Sequence, residues 1–357
     1  MKIFKIVLTG GPCAGKTTAL KAIKNHLEEQ NIKYITIPET ATELILNKML
    51  PNSNYTYEFQ TMVLKRQYAK EKEAINYAQK MYEQEEKVVI LCDRGIFDNI
   101  AYLHSEEEFQ KMLKEQQLEE ENLLSSYNLV LNLFSLATCN PSYYSFNNEA
   151  RLENVEEAKE ADKKTANAWA NHPNIKLLSS SISLQEEQEQ IIQMIDSHLS
   201  NKDYIYKLKV PMKENKFQRN QSTESIVHNL YFPHPNTSIK IFEKKHIFLM
   251  QIVYEKEFEK IIIEQRYINQ GTFIQLLKKY PPLSTNIHSE KNFIENQTHY
   301  KIYYEDGKIF LDIQPNNLGK IILPNCYQSK QINLDSLYTN QEKLDNINSI
   351  KKLWRKN

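Results

Sequence analysis

The amino-acid sequence predicts an α/β fold, a parallel sheet with helices on both faces over residues 1–200, followed by an α+β region of antiparallel strands. Three observations predict it. Short apolar, β-branched runs alternate with stretches of helical periodicity through the first half, the order that builds parallel sheets. Residues 6–18 read IVLTGGPCAGKTT and hold three of the chain's seven glycines. Past residue 200 the periodicity changes to two, the mark of half-buried antiparallel strands. At 357 residues the chain exceeds the usual size of one core, so more than one domain is expected. The boundaries fall at 1–200, 201–330 and a basic tail over 331–357.

The first run, residues 3–8, is β-branched and of strand length. It leads into Gly10-x-x-x-x-Gly15-Lys16-Thr17, which fits G-x-x-x-x-G-K-[ST], the phosphate-cradling loop, and helical periodicity follows from residue 18. Glycine costs roughly 0.5–1 kcal/mol relative to alanine in regular structure, so three together mark a place where side chains would obstruct something. The expected nucleotide site is Gly10, Gly11, Pro12, Cys13, Ala14, Gly15, Lys16, Thr17 and Thr18. Its backbone N–H groups and the positive end of the helix form a nest for phosphate oxygens. Lys16 reaches the β- and γ-phosphates, and the Thr17 hydroxyl takes one position of Mg²⁺.

A second strand covers 33–38, a long helix 57–86 and a third strand 87–93. Residues 105–122 are acidic and helical, 128–134 are the fourth strand, and 152–169 are helical again. A short fifth strand at 175–178 and a helix at 184–199 close the domain. Ligands in such sheets bind at the carboxyl ends of strands. Strand three ends in Asp93-Arg94-Gly95, where Asp93 suits the second Mg²⁺-organising carboxylate and Arg94 a phosphate clamp. After strand two, Glu39 stands where a base takes the proton of an acceptor hydroxyl, or is an ordinary surface acid. Gln60 and Arg66, on the intervening helix, either contact an acceptor or are solvated.

Bulk properties narrow the setting. Basic and acidic side chains number 45 each, so the net charge is zero. Residues 1–200 carry 21 basic and 29 acidic side chains, a balance of −8, and residues 201–357 carry 24 and 16, a balance of +8. A basic second half suits an anionic partner, or attraction between the halves. No nucleic acid partner is expected. Cys13, Cys92, Cys139 and Cys326 lie far apart, with neither zinc spacing nor a disulfide framework, which suits a reducing cytosol. No signal peptide is expected, and no apolar run reaches the roughly 18 residues of a membrane span. A cytoplasmic protein, peripheral at membranes in one reading, is the expectation.

The stretches GGPCAGKTT, PETATELI, the FQ…R helix, CDRGIFDNIAY and RLENVEEAKEADKKTANAWANHPNIKLL together resemble the NadR-like P-loop domain. That domain is similar to ribosylnicotinamide and deoxynucleoside kinases. The resemblance covers about residues 1–200 and implies a P-loop NTPase sheet. It matches Glu39 to the family's acid after strand two, Asp93 and Arg94 to its D/E-R motif, and Arg151 to the lid arginine. With Lys16 these are the candidate catalytic residues. Asp98 matches a further family acid and joins Gln60 and Arg66 as a substrate candidate. Kinase lids often carry several arginines; Arg151 stands alone in its stretch.

In the second half, 205–210, 238–245, 247–254, 260–268, 299–304 and 308–313 read as strands, with a helix over 271–279. Glu305-Asp306-Gly307 signals a hairpin turn. This order, with IIIEQRYINQGTFIQLLKKYPP and YKIYYEDGKIFLDI, resembles the CYTH triphosphate-tunnel barrel. A NadR-like P-loop domain joined to a CYTH-like barrel resembles the TRPL translocation defect protein family, which implies GTP binding and phosphatidic acid binding in trafficking. An active tunnel opens with Glu-x-Glu-x-Lys; here the matching strand reads Tyr204-Ile-Tyr-Lys-Leu-Lys, so both metal-holding acids are missing. Lys207, Lys209, Lys240, Lys244, Arg266, Lys291 and Lys301 are candidates for an anion site inside the barrel. Each is otherwise a solvated outer residue. The tail places Leu344, Ile347, Ile350 and Trp354 on one helical stripe beside basic residues, which suits an anionic membrane or packing on the protein's own body.

Three functions emerge as expectations. One is a kinase acting on a small hydroxyl-bearing acceptor, and another a nucleotide-dependent switch whose barrel meets an anionic lipid or phosphorylated metabolite. The third, a barrel triphosphatase, is disfavoured by the missing acids. The N-K-x-D base-reading motif of Ras-like proteins follows no strand in residues 1–200, but GTP and ATP both remain open.

Overall fold

The computed structural model describes residues 1–49, 56–139, 155–178, 183–200, 204–212, 222–256, 258–305, 307–314 and 341–355. The chain divides into two compact units, Met1–Ser200 and Asn201–Asn357.

Unit 1 is built on five parallel strands in the order β2-β3-β1-β4-β5. They are β1 (Lys2–Gly10), β2 (Lys33–Ile37), β3 (Lys87–Asp93), β4 (Leu129–Leu133) and β5 (Ile175–Leu178). The helices are α1 (Lys16–Glu29), α2 (Thr40–Leu46), α3 (Thr56–Met81), α4 (Glu106–Glu115), α5 (Glu120–Ser125), α6 (Leu136–Cys139), α7 (Val155–Ala168) and α8 (Leu184–Leu199), with a 3-10 turn at Ile96–Tyr102. The central strands are continuous apolar runs because helices cover both faces. On one face Ile6, Leu8, Val89, Leu91, Leu129 and Leu131 meet Ile23 and Leu27 of α1 and Ile191 and Ile195 of α8. On the other, Phe97, Tyr127 and Trp169 form a ring cluster, with Trp169 5.1 Å from each of its two partners. Ser183 and Glu186 form a capping box that starts α8.

Local differences from the sequence reading have local causes. Residues 105–122 make two helices, since Gln117 adopts a left-handed φ of 55° and breaks the run. The helix expected over 57–86 ends at Met81. Short α2, directly after Glu39, carries too few residues to show periodicity.

Unit 2 is a closed antiparallel barrel of strands β6 (Ile205–Met212), β7 (Thr223–Tyr231), β8 (Thr237–Lys244), β9 (Ile247–Lys256), β10 (Glu259–Ile268), β11 (Pro282–Glu295), β12 (Thr298–Glu305) and β13 (Lys308–Gln314). Their order is β10-β6-β13-β12-β11-β7-β8-β9. Two strands were not foreseen, β7 and β11, which pair with each other. Both are polar and leave Ile226 and Ile287 exposed, so neither shows the alternation that betrays a strand. The β12–β13 hairpin turns at Gly307, whose φ of 78° is the left-handed value the turn needs.

Alternation along the walls splits apolar from charged. Ile239, Ile241, Met250, Ile252, Ile261 and Ile263 face outward, where α9 (Gln270–Lys279) supplies Phe273 and Leu276 and α10 (Gln341–Arg355) supplies Ile347 and Ile350. Trp354 lies 6.3 Å from the Phe232 ring and 6.1 Å from Tyr280. The apolar stripe of the tail helix therefore packs on the barrel of its own unit, and the membrane alternative loses its apolar face. The side chain of Leu344 lies outside the described residues. Ile350 is fully buried, so Ile350→Ala is expected to lower the stability of unit 2 by about 2–5 kcal/mol in urea titrations. Lys352→Ala, on the exposed side of the same helix, should stay within about 0.5 kcal/mol of wild type.

Candidate functional site

The site forms where β1, β2 and β3 end. Because the strands are parallel neighbours, the residues following each emerge along one edge of the sheet. Strand β1 ends at Gly10, paired with Leu133 of β4. At φ 138° its absent Cβ would stand 1.9 Å from the Leu133 carbonyl oxygen, so only glycine lets the chain leave the sheet here. The loop then enters α1 at Lys16 through Gly15, with no side-chain cap. The first amides of α1 therefore keep free donors at the positive end of the helix. Thr17 and Thr18 are exposed there.

Lys16 Nζ donates to the Gly10 and Gly11 carbonyls at 3.1 and 2.7 Å. Burial and the nearby Arg94 cation bring its pKa from 10.5 down to about 8, against the opposing pull of Glu39, Asp93 and Asp98. Asp93 ends β3 beside Leu8. Its Oδ1 is buried with no hydrogen-bond partner among the described residues, and burial together with the Glu39 carboxylate raises its pKa above the usual value. An orphaned carboxylate oxygen is what a hard cation completes. With the exposed Thr17 hydroxyl it suits Mg²⁺, which needs few protein ligands when phosphates and water supply the rest.

Arg94 adopts a left-handed φ of 66°. Its N–H donates to Leu8 O at 2.9 Å, its Nε to Glu39 Oε1 at 2.5 Å, and a terminal N–H reaches Asp98 Oδ1 at 3.4 Å. Burial works to raise the Glu39 pKa, but Arg94, the Thr42 hydroxyl and Lys16 outweigh it and hold the carboxyl below its usual value. Glu39, Asp93, Arg94 and Lys16 thus meet in one place.

Of the other expected residues, one adjoins this group through Arg94. Asp98 was placed with the substrate candidates; instead it is enclosed, accepting from Thr9 Oγ1, Gly95 N, Arg94 and Trp169 Nε1. Gln60 is buried in α3, and Arg66 turns to Glu43 at 3.3 Å. Arg151 lies outside the described residues. Missed by the sequence reading was a buried chain behind the site. Thr40 Oγ1 donates to Gln67 Oε1, Gln67 Nε2 to Glu71 Oε1, and Glu71 also takes Tyr127 OH and the Lys5 ammonium. Asp162 of α7 was missed as well. Its signal was available, because it shares the buried stripe of Ala158, Thr165 and Ala166.

The barrel of unit 2 holds a second group of charges. Lys207, Lys209, Lys240 and Lys301 are buried or nearly so, joined by Lys260, which the sequence reading omitted. Arg266 was expected inside; its side chain is mostly exposed and pairs with Glu264. Lys291 is exposed as well, and Lys244 sits half-buried at the end of β8. Carboxylates neutralise most of the interior. Glu305 takes Lys240 at 2.7 Å and Lys209 at 3.1 Å, Asp312 takes Lys260 at 3.1 Å, and Glu290 pairs with Lys301. Lys207 has no hydrogen bond or ion pair to any described residue. Burial lowers its pKa to about 8, with Lys301 and Lys260 adding to the effect and Asp312 opposing it.

A family model described as an AAA domain matches residues 5–186, just over half of the chain. No curated protein matches the chain. No described helix is long and apolar enough to cross a membrane.

The shift of Lys16 fixes a sign. Between pH 8 and 10.5 the unfolded chain holds the Lys16 proton and the folded chain does not, so folding gains stability as pH rises through that window. Wild type is expected to gain on the order of 1–3 kcal/mol relative to Lys16→Met between pH 7.5 and 10.5, read from urea titrations at stepped pH. A pH-independent difference between the two would mean that Lys16 is not buried among these charges.

Proposed function

The chain belongs to the AAA-domain family by that match, and from this premise we propose that unit 1 binds a purine nucleoside triphosphate, GTP or ATP, with Mg²⁺ and performs hydrolysis or phosphoryl transfer. The observation that carries the reading is the meeting of Lys16, Asp93, Arg94 and Glu39 at the strand ends beside an uncapped helix N-terminus. The chemistry Mg²⁺ would supply when bound is positive charge that offsets the phosphates. Asp93 and Thr17 are the residues to hold the ion. Lys16 exchanges the carbonyls of Gly10 and Gly11 for phosphate oxygens. Arg94, already fixed by Glu39 and Asp98, presents its remaining N–H groups to a phosphoryl group. Glu39 is kept ionised by Arg94, the form a base must have to take a proton from an acceptor hydroxyl or a water.

Lys207 favours a second reading for unit 2. In a CYTH-like barrel whose other interior lysines are paired, one buried lysine with no direct partner among the described residues suits a single anionic phosphate group better than a polyphosphate. A phosphatidic acid headgroup or a small phosphorylated metabolite has that chemistry, in keeping with the resemblance to the TRPL translocation defect protein family. In that reading the nucleotide acts as a switch with little catalysis.

Calorimetry with ATP and GTP, with and without Mg²⁺, tests the first reading. Lys16→Ala is expected to weaken Mg-nucleotide binding by about 2–4 kcal/mol. Asp93→Asn should depress Mg²⁺-dependent turnover far more than metal-free binding. Glu39→Gln separates the two chemistries. If an acceptor is phosphorylated, it should keep nucleotide affinity and lose roughly 10²–10⁴-fold in turnover. Intact hydrolysis in Glu39→Gln, with no metabolite becoming phosphorylated, sinks the kinase reading.

A further inference from the structure

Asp162 contributes nothing to the open face of the site, yet its carboxylate accepts four hydrogen bonds beside the phosphate loop. It is 1% exposed on α7. Oδ1 accepts from Gly11 N at 2.8 Å. Oδ2 accepts from Ser135 N at 2.9 Å, Ser135 Oγ at 2.7 Å and Thr138 Oγ1 at 2.6 Å. The fit is tight, since a Cβ on Gly11 would stand 2.1 Å from Oδ1.

The Gly11 amide belongs to the same peptide plane as the Gly10 carbonyl. The described chain has no cis peptide bond, so these two groups point in opposite directions. Holding the Gly11 N–H against Asp162 therefore aims the Gly10 oxygen away from α7, and Lys16 Nζ lies there at 3.1 Å. We infer that Asp162 is a positioning residue for the nucleotide site: through the Gly10–Gly11 peptide plane it sets where the Lys16 ammonium rests, and it fastens that plane to the residues just after β4. The orientation has a second consequence. With its N–H turned to Asp162, the Gly11 amide is withdrawn from the phosphate nest, which leaves the donors nearer α1 and the Lys16 ammonium to hold the anion. A neutral amide in place of the carboxylate would keep the shape but oppose an N–H to one of the donors, and a swung peptide plane would carry the Gly10 carbonyl off Lys16.

The inference rests on nucleotide binding at this loop, and a double-mutant cycle separates the two. Mg-ATP and Mg-GTP affinities are measured by calorimetry, at millimolar nucleotide where needed, for wild type, Asp162→Asn, Lys16→Ala and the double variant, with thermal unfolding recorded for each. Asp162→Asn is expected to weaken binding roughly 10- to 100-fold in the wild-type background. In the Lys16→Ala background it should weaken binding less than about twofold, because the group it positions is gone. Its loss of thermal stability should persist in both backgrounds. Ser135→Ala, which removes another of the bonds to Asp162 but leaves Gly11 N held, should lower stability while keeping nucleotide affinity. If Asp162→Asn does not fold, Asp162→Ser, which sets no fixed donor against Gly11, takes its place in the cycle. An equal loss in both backgrounds, or wild-type affinity in Asp162→Asn, overturns the positioning role while leaving nucleotide binding intact. A wild-type protein that binds neither nucleotide overturns both.

Discussion

Arg94 is held on every side before any ligand arrives. Its amide continues the β3-to-β1 pairing by donating to Leu8 O, its carbonyl accepts from Gln67 of α3 at 3.4 Å, and its guanidinium joins Glu39 to Asp98. The left-handed backbone, costly for a residue with a Cβ, persists because these bonds over-determine it. Through Glu39 the arginine fixes the start of α2. Through Asp98 it fixes the 3-10 turn, and with it Trp169 and the ring cluster under the sheet. Removing Arg94 would leave Asp98 buried with a charge still served by Thr9, Gly95 and Trp169, whereas Glu39 would keep only Thr42 and the field of Lys16.

Buried charge recurs in both units, and its cost differs with pairing. Lys5 and Glu71 are each under one-tenth exposed and satisfy one another at 2.6 Å, with Ser126, Tyr127 and Gln67 completing the bonds. Such a pair adds little net stability over an apolar replacement but penalises any arrangement that separates the partners. It thereby fixes the register of α3 against β1. The barrel uses the same physics with the usual roles reversed: its apolar core lies outside the wall, under α9 and α10, and its interior is charged. A charged interior is tolerable because carboxylates from β9, β11, β12 and β13 face lysines from β6, β8, β10 and β12.

Much of unit 1 was legible because its signals are local. The phosphate loop, the apolar strands and the capping box each occupy one short stretch, and Asp93, Arg94 and Glu39 all stand at or just past the carboxyl end of a strand. Asp98 shows the limit. Its position in the chain resembles a functional acid, but whether its oxygens meet a ligand or Thr9, Gly95 and Trp169 depends on contacts up to 89 residues away in sequence. Asp162 meets Gly11 from 151 positions away, and no pattern in either segment names the other. In the barrel, Lys260 escaped because it stands beside three isoleucines in a run that reads as apolar, while Arg266 in the same strand lies past a register shift between Ile262 and Glu264. That irregularity re-aims the strand, and alternation counted across it assigns the wrong face.

Lys16 and Lys207, in separate units, share one electrostatic condition. Each ammonium is buried with less opposing charge than its surroundings require, and each has its pKa brought from 10.5 to about 8. The causes differ in a way that matters. Lys16 is discouraged by Arg94 but supported by three carboxylates and two carbonyls, so it is a cation already solvated by protein, and an arriving phosphate replaces ligands it has. Lys207 is supported by the fields of Asp312 and Glu290 and opposed by Lys301 and Lys260, but those two carboxylates pair with Lys260 and Lys301, so in the proposed reading an arriving anion would give Lys207 the direct partner it lacks among the described residues. An anion at either place draws the pKa back up, and by linkage its binding takes up a proton above about pH 8. In the proposed readings the same residue type at the same pKa would therefore serve exchange in one unit and completion in the other.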